Sequence, residues 1–167
     1  MGSIEAKQFL DDYGDRFNVH FVGPAGAYHV MFNTGKAPFD DQRVRKAINL
    51  ALNRQDLIET FSVGDYTLGL PFPPGTWYGR TLREAEQVPG FRLDSKGENH
   101  PDDLAEARRL LAEAGFPNGF KTTLTLHRAV LYVDVGTVVA QQLEEYLNIE
   151  STLRVVEITA GQAAWLS

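Results

Sequence analysis

The chain has 167 residues, enough for one domain with its own core. A formal net charge of -6 and a pI of about 5.2 exclude the basic surface that nucleic acids require. It has no cysteine, which rules out disulfides and thiolate metal sites, and no apolar run approaches the roughly 18 residues of a membrane helix.

Met1-Gly2-Ser3 reads as a cloning remnant, so residues 1–3 are set apart from 4–167. Charges at Glu5, Lys7, Asp11 and Asp12 follow at once, and no secretory leader pattern is present. From Ile4 to Tyr13, Ile4, Phe9, Leu10 and Tyr13 recur at helical spacing, with Gly14 as the stop. Phe17 to Thr34 is rich in aromatic and β-branched residues around a turn at Gly23-Pro24-Ala25-Gly26. Its second arm, Tyr28 to Asn33, is expected to be a buried strand.

Asp40 or Asp41 then caps a helix whose core stripe is Val44, Ala47, Ile48, Ala51 and Leu52. Arg43, Arg45 and Lys46 take the opposite face, which reads as solvated because Asp40 and Asp41 flank it. Asn53, with Asp56 three residues on, caps a short second helix carrying Leu57, Ile58 and Phe61 inward. Gly64 to His100 is Pro- and Gly-rich and is expected to be irregular. Asp103 and Glu106 have the spacing of a capping box, ahead of Leu104, Ala107, Leu111 and Ala114 on one face and Gly115 as the left-handed terminator.

Phe120 to His127 alternates: Phe120, Thr122, Leu124 and Leu126 on one face, Lys121, Thr123, Thr125 and His127 on the other. A helix from Asp134 to Leu147 carries Val135, Val138, Val139, Leu143, Tyr146 and Leu147, and a strand spans Thr152 to Ile158. Strand, helix and strand with short links make a βαβ unit with parallel strands. Thr159 and Gln162 begin another helix with a capping-box spacing, and Trp165 follows on it.

The blocks Phe32-Asn33, Pro38-Phe39-Asp40-Asp41-Gln42-Arg43-Val44-Arg45-Lys46-Ala47-Ile48-Asn49-Leu50-Ala51-Leu52-Asn53-Arg54, Leu70-Pro71 and Pro73-Pro74-Gly75 stand in a telling order. They are followed by Ala107-Arg108-Arg109-Leu110-Leu111-Ala112-Glu113-Ala114-Gly115-Phe116-Pro117-Asn118-Gly119-Phe120, Val139-Ala140-Gln141-Gln142-Leu143, Leu147-Asn148 and Trp165. This series resembles solute-binding protein family 5, the oligopeptide-, dipeptide- and nickel-binding proteins of ABC importers. The resemblance runs from about Phe17 onward, and Asn53 departs from it where the family usually has Asp; both residue types cap helices.

The resemblance implies an α/β fold, a mixed sheet with flanking helices, forming part of a periplasmic-binding-protein-like lobe of type II, cluster C. Residues 4–167 would then be a partial substrate-binding lobe of a longer two-lobe protein. It implies capture of a peptide or similar small solute for import, with permease subunits as partners, in a periplasmic or extracellular and membrane-associated parent. Peptides, nickel chelates, sugars and opines all fit such relatives. The family's acid that grips a peptide's amino terminus has no counterpart in these residues. No enzyme activity, cofactor or metal is expected. A sensor domain of a transcription regulator is the alternative with the same fold, and a partial lobe could pair with a second copy.

His20, His29, His100 and His127 lack ligand partners at helical spacing, so they do not read as a metal site. Ser62 and Ser95 sit in no nucleophile motif, and the glycines form no phosphate-binding loop. The candidate ligand-binding residues are His127, Arg128, Tyr132 and Asp134, on the loop leaving the carboxyl end of a parallel strand, where open α/β layers bind ligands. Arg128 could pair with a carboxylate and Tyr132 could stack or hydrogen-bond. In proteins of the resembling family the corresponding loop faces the cleft between lobes. Trp77 and Tyr78, on a Pro/Gly loop, form a second candidate that either lines an apolar pocket or pins its loop to the core.

Overall fold

The structure, a computed structural model, describes residues 3–17, 28–61, 68, 77, 79–128 and 132–157. In chain order its elements are α1 (Ser3–Tyr13), α2 (Gln42–Ala51), α3 (Arg54–Phe61), α4 (Leu82–Ala85), α5 (Pro101–Glu113), β1 (Lys121–His127), α6 (Tyr132–Leu147) and β2 (Glu150–Val156). The turn expected at Gly23–Gly26, Ile158 and the helix expected from Thr159 lie outside the described residues.

α2 forms because Asp41 accepts a hydrogen bond from the Arg43 amide at 2.7 Å, satisfying one of the helix's free N–H groups. Val44, Ala47, Ile48 and Ala51 on its inner stripe, with Leu52 just beyond, are all buried, as their spacing predicts. They meet Ala107, Leu110 and Leu111 of α5 and Val139, Leu143 and Leu147 of α6. Ile149, on the link into β2, completes this core.

The basic residues of α2 lie on an exposed face, as expected, and make local polar contacts there. The Arg43 guanidinium grips the Asp41 carboxylate and donates to the Glu113 carbonyl at 2.9 Å. Arg45 donates to the Phe39 carbonyl at 2.6 Å and the Asp40 carbonyl at 3.0 Å. Lys46 stands 3.9 Å from Glu106.

α3 starts as expected, with the Asn53 side chain accepting from the Asp56 amide at 3.0 Å. α5 does not. Its cap is His100, whose Nδ1 accepts from the Asp102 amide, with Pro101 at the first helical position. Asp103 therefore forms no capping box. It lies in the first turn of the helix, 2% exposed, and accepts from the Gly90 amide at 2.7 Å and from the Arg92 guanidinium. At the other end Gly115 adopts φ +94°, and its amide and that of Phe116 close back onto Ala112 and Leu111. That is the expected left-handed terminator.

The expected irregular stretch contains a short helix after all. Thr81 and Glu84 make a reciprocal capping box at the start of α4. The loop after α4 is fastened to the core by Asp103 and by Arg54, which donates to the carbonyls of Asn49, Leu52 and Gly90 and lies 4.3 Å over the Phe91 ring. Burial pulls the Arg54 pKa down to about 10.

Tyr28 to Asn33 is not a strand. Val30 and Phe32 turn toward the core while Tyr28, His29, Met31 and Asn33 are exposed, and no ladder partner stands beside them among the described residues. Alternating side chains alone do not make a strand, because its amides also need a neighbouring backbone.

β1 and β2 pair in parallel, Lys121 opposite Glu150 through His127 opposite Val156. α6 crosses between them and packs on both strands. This is the expected βαβ unit; the observed boundaries of α6 and β2 each begin two residues earlier than the apolar pattern alone indicates.

Candidate functional site

Three elements converge at the carboxyl ends of the two strands. β1 ends at His127, β2 at Val156, and the first turn of α6 begins at Tyr132. The Arg128 amide donates to the Val156 carbonyl at 2.8 Å, which carries the pairing one residue beyond β1. The Arg128 guanidinium then reaches the Glu157 carboxylate at 2.7 Å, with both side chains about two-thirds exposed. An ion pair so open to water is weak and exchangeable, leaving the guanidinium available to another carboxylate.

Tyr132 stands edge-on to two rings. His127 lies 6.0 Å away between centroids at an interplanar angle of 84°, and Tyr28 lies 5.2 Å away at 62°. Such edge-to-face contacts suit the aromatic quadrupole. Tyr28 and Tyr132 keep 43% and 41% of their surface exposed, so they form a wall with an open side. Asp134 is exposed on the first turn of α6. His127, Arg128, Tyr132 and Asp134 are thus brought to one end of the sheet, as their sequence positions suggested.

Tyr28 was missed by the sequence reading. It comes from a segment more than a hundred positions away, and its only local signal was an aromatic in what looked like a buried strand. Trp77 is 94% exposed. Tyr78 lies outside the described residues. A shallow depression of about 390 Å³ lies elsewhere, lined by Ala37, Pro38, Asp40, Asp41, Ala114 and Phe116.

Further along α6 the core contains a polar pin. Gln142 on α6 accepts from the Asn53 amide at 3.0 Å and donates to the Asn53 carbonyl at 3.2 Å and to Asp56 at 2.8 Å. Gln142 and Asn53 are both buried, so losing this contact would leave the Asn53 amide short of a partner. The sequence carried a faint sign of it: Gln142 interrupts the apolar stripe of Val135, Val139 and Tyr146 at helical spacing.

Among the described residues no group of three His, Asp or Glu side chains could hold a metal ion. No helix among them is long and apolar enough to cross a membrane.

Residues 4–166 match the family described as bacterial extracellular solute-binding proteins, family 5 Middle. The chain belongs to that family. This family 5 chain is 33% identical over 138 residues to the glutathione-binding protein GsiB of Salmonella typhimurium, covering 81% of the chain and 23% of the relative. It is 37% identical over 95 residues to heme-binding protein A of Haemophilus influenzae, covering 56% of the chain and 15% of the relative. It therefore spans about a quarter or less of the length of these curated relatives.

Solved structures agree on the fold. The Escherichia coli murein tripeptide binding protein MppA superposes with a TM-score of 0.76 over 98% of the family 5 chain and 31% of its own, at 23% identity. The periplasmic binding protein DppA of Helicobacter pylori, solved with the peptide STSA, superposes with a TM-score of 0.55 at 30% identity, over 77% of this chain and 22% of its own. All four are binding proteins by name, which leaves the regulator-sensor reading without support.

Proposed function

We propose that this family 5 chain is part of one lobe of an ABC-importer substrate-binding protein that captures a peptide or a similar small solute. The observation that carries the reading is the family match across residues 4–166, together with the aromatic and charged cluster at the carboxyl end of the parallel strands. In the parent protein two lobes close on the ligand by a hinge, and the strand end faces the cleft. Tyr28 and Tyr132 pack against an apolar or planar part of the ligand, His127 buttresses Tyr132, and Arg128 exchanges Glu157 for a ligand carboxylate. Asp134 offers the opposite charge to a ligand amine. Trp77, largely exposed, offers a second aromatic contact to the ligand.

Capture of this kind involves no covalent chemistry. It needs donors, acceptors and rings held still on both sides of a cleft. The parent works in the periplasm or outside the cell, associated with the membrane and handing its ligand to permease subunits.

Isothermal titration of the full-length parent and of the 167-residue chain with a mixture of short peptides tests the two-lobe account. The parent should bind at least tenfold more tightly, since one lobe offers only part of the contacts. Equal affinities would refute it. Within the parent, Tyr132→Ala and Arg128→Ala should each weaken binding, and unchanged affinity in both would remove the strand end from the site.

A further inference from the structure

We infer that Gly136 is a positioning residue: its missing side chain lets α6 seat directly on the end of β1 and so sets the Tyr132 ring against His127. The inference rests on the strand-end reading above and adds to it the device that builds the aromatic wall.

Gly136 is buried in the second turn of α6, a place where glycine weakens a helix and needs a reason. A methyl group at its Cα would lie 2.5 and 2.6 Å from the two terminal carbons of Leu126 and 3.1 Å from its branch carbon. Leu126 is itself buried, so its side chain must rotate within the core to make room. The helix backbone therefore rests on the Leu126 side chain with nothing between them.

The consequence reaches the candidate site through helix geometry. Tyr132 and Gly136 are four residues apart and share a face of α6. Leu126 and His127 are neighbours at the end of β1. The contact of Gly136 with Leu126 thus fixes the height of the first turn above the strand, and that height sets the 6.0 Å separation of the Tyr132 and His127 rings. Thr137 donates its hydroxyl to the Val133 carbonyl at 2.8 Å, tying the same turn. A larger residue at 136 must either rotate Leu126 or lift the turn, and both move one ring relative to the other.

The test needs no ligand. In the 167-residue chain the His127 ring-proton resonances report the ring current of Tyr132. Gly136→Ala should displace them while circular dichroism shows an intact fold, because alanine is the better helix former. Adding Leu126→Val, which removes the obstructing bulk, should return them to their original positions. Unchanged His127 resonances in Gly136→Ala would overturn the inference. So would a double variant whose resonances stay displaced. If Gly136→Ala alone does not fold, the double variant decides: native resonances support the inference and their absence overturns it.

The two ideas fail separately. Loss of peptide binding on Tyr132→Ala in the parent bears on the strand-end site and is indifferent to Gly136. The resonance shift bears on Gly136 and is indifferent to the ligand.

Discussion

In the helical core, Val44, Ala47 and Ile149 have no measurable exposure, and the polar groups that enter it, Asp103 and Gln142, each have several partners. At the end of β1, Tyr28 and Tyr132 lie some two-fifths open to solvent, and Arg128 is held by one exposed carboxylate. The two regions share α6, whose later turns belong to the core and whose first turn belongs to the strand end. The contrast fits the role proposed above for the strand end. A core gains by having every group satisfied within the chain. A ligand-capturing surface gains by keeping rings and charges fixed in place but still available.

Substitutions should separate the two regions. Ile48→Ala removes a side chain that is 2% exposed between α2, α5 and α6 and should cost about 4 kcal/mol, read from the urea midpoint. A loss under about 1 kcal/mol would mean that the helices are not packed as described.

Asp103→Asn should follow, at about 3 kcal/mol, because the Arg92 guanidinium loses its partner carboxylate. The same residue predicts an acid limb. Burial pushes the Asp103 pKa up, but the hydrogen bonds from Arg92 and the Gly90 amide outweigh it and hold the pKa below the usual 3.8. A carboxyl depressed in the folded state contributes its full stability above its unfolded pKa and loses it as the pH falls through the folded one. Wild type should therefore lose stability below about pH 4 more steeply than Asp103→Asn, seen as converging urea midpoints in acid.

Gln142→Ala leaves the Asn53 amide and carbonyl without their partner and should cost about 2 kcal/mol. Tyr132→Ala sits at the other extreme. It should cost about 1 kcal/mol of stability, well below Ile48→Ala, since two-fifths of the residue stays exposed and mainly its ring contacts are lost, while weakening ligand binding by the parent about tenfold. A Tyr132→Ala variant that unfolds as readily as Ile48→Ala would erase the distinction between the two regions.

The legible parts of the sequence were those with a local cause. Asp41 and Asn53 cap α2 and α3, Gly115 ends α5, and the apolar stripes of α2, α5 and α6 face the core because these signals act over one or two turns of chain. The errors had the opposite origin. Asp103 has the spacing of a capping box, but the cap went to His100 and the carboxylate to a loop ten or more positions earlier. Tyr28 to Asn33 has strand-like composition but no neighbouring backbone to pair with among the described residues. Thr81 and Glu84 were legible as a cap and were masked by the prolines and glycines around them.

By itself the sequence determined the α/β class, the βαβ unit and the main core helices, the family, and the placement of His127, Arg128, Tyr132 and Asp134 near one strand end. Each follows from periodicity, caps or ordered blocks, which are properties of neighbouring residues. Only the tertiary structure decided that Tyr28 joins Tyr132, that Gln142 pins α3 to α6, and that Gly136 rests on Leu126. Those contacts depend on where distant segments meet, and a distance in space is not encoded in any local pattern of residue types.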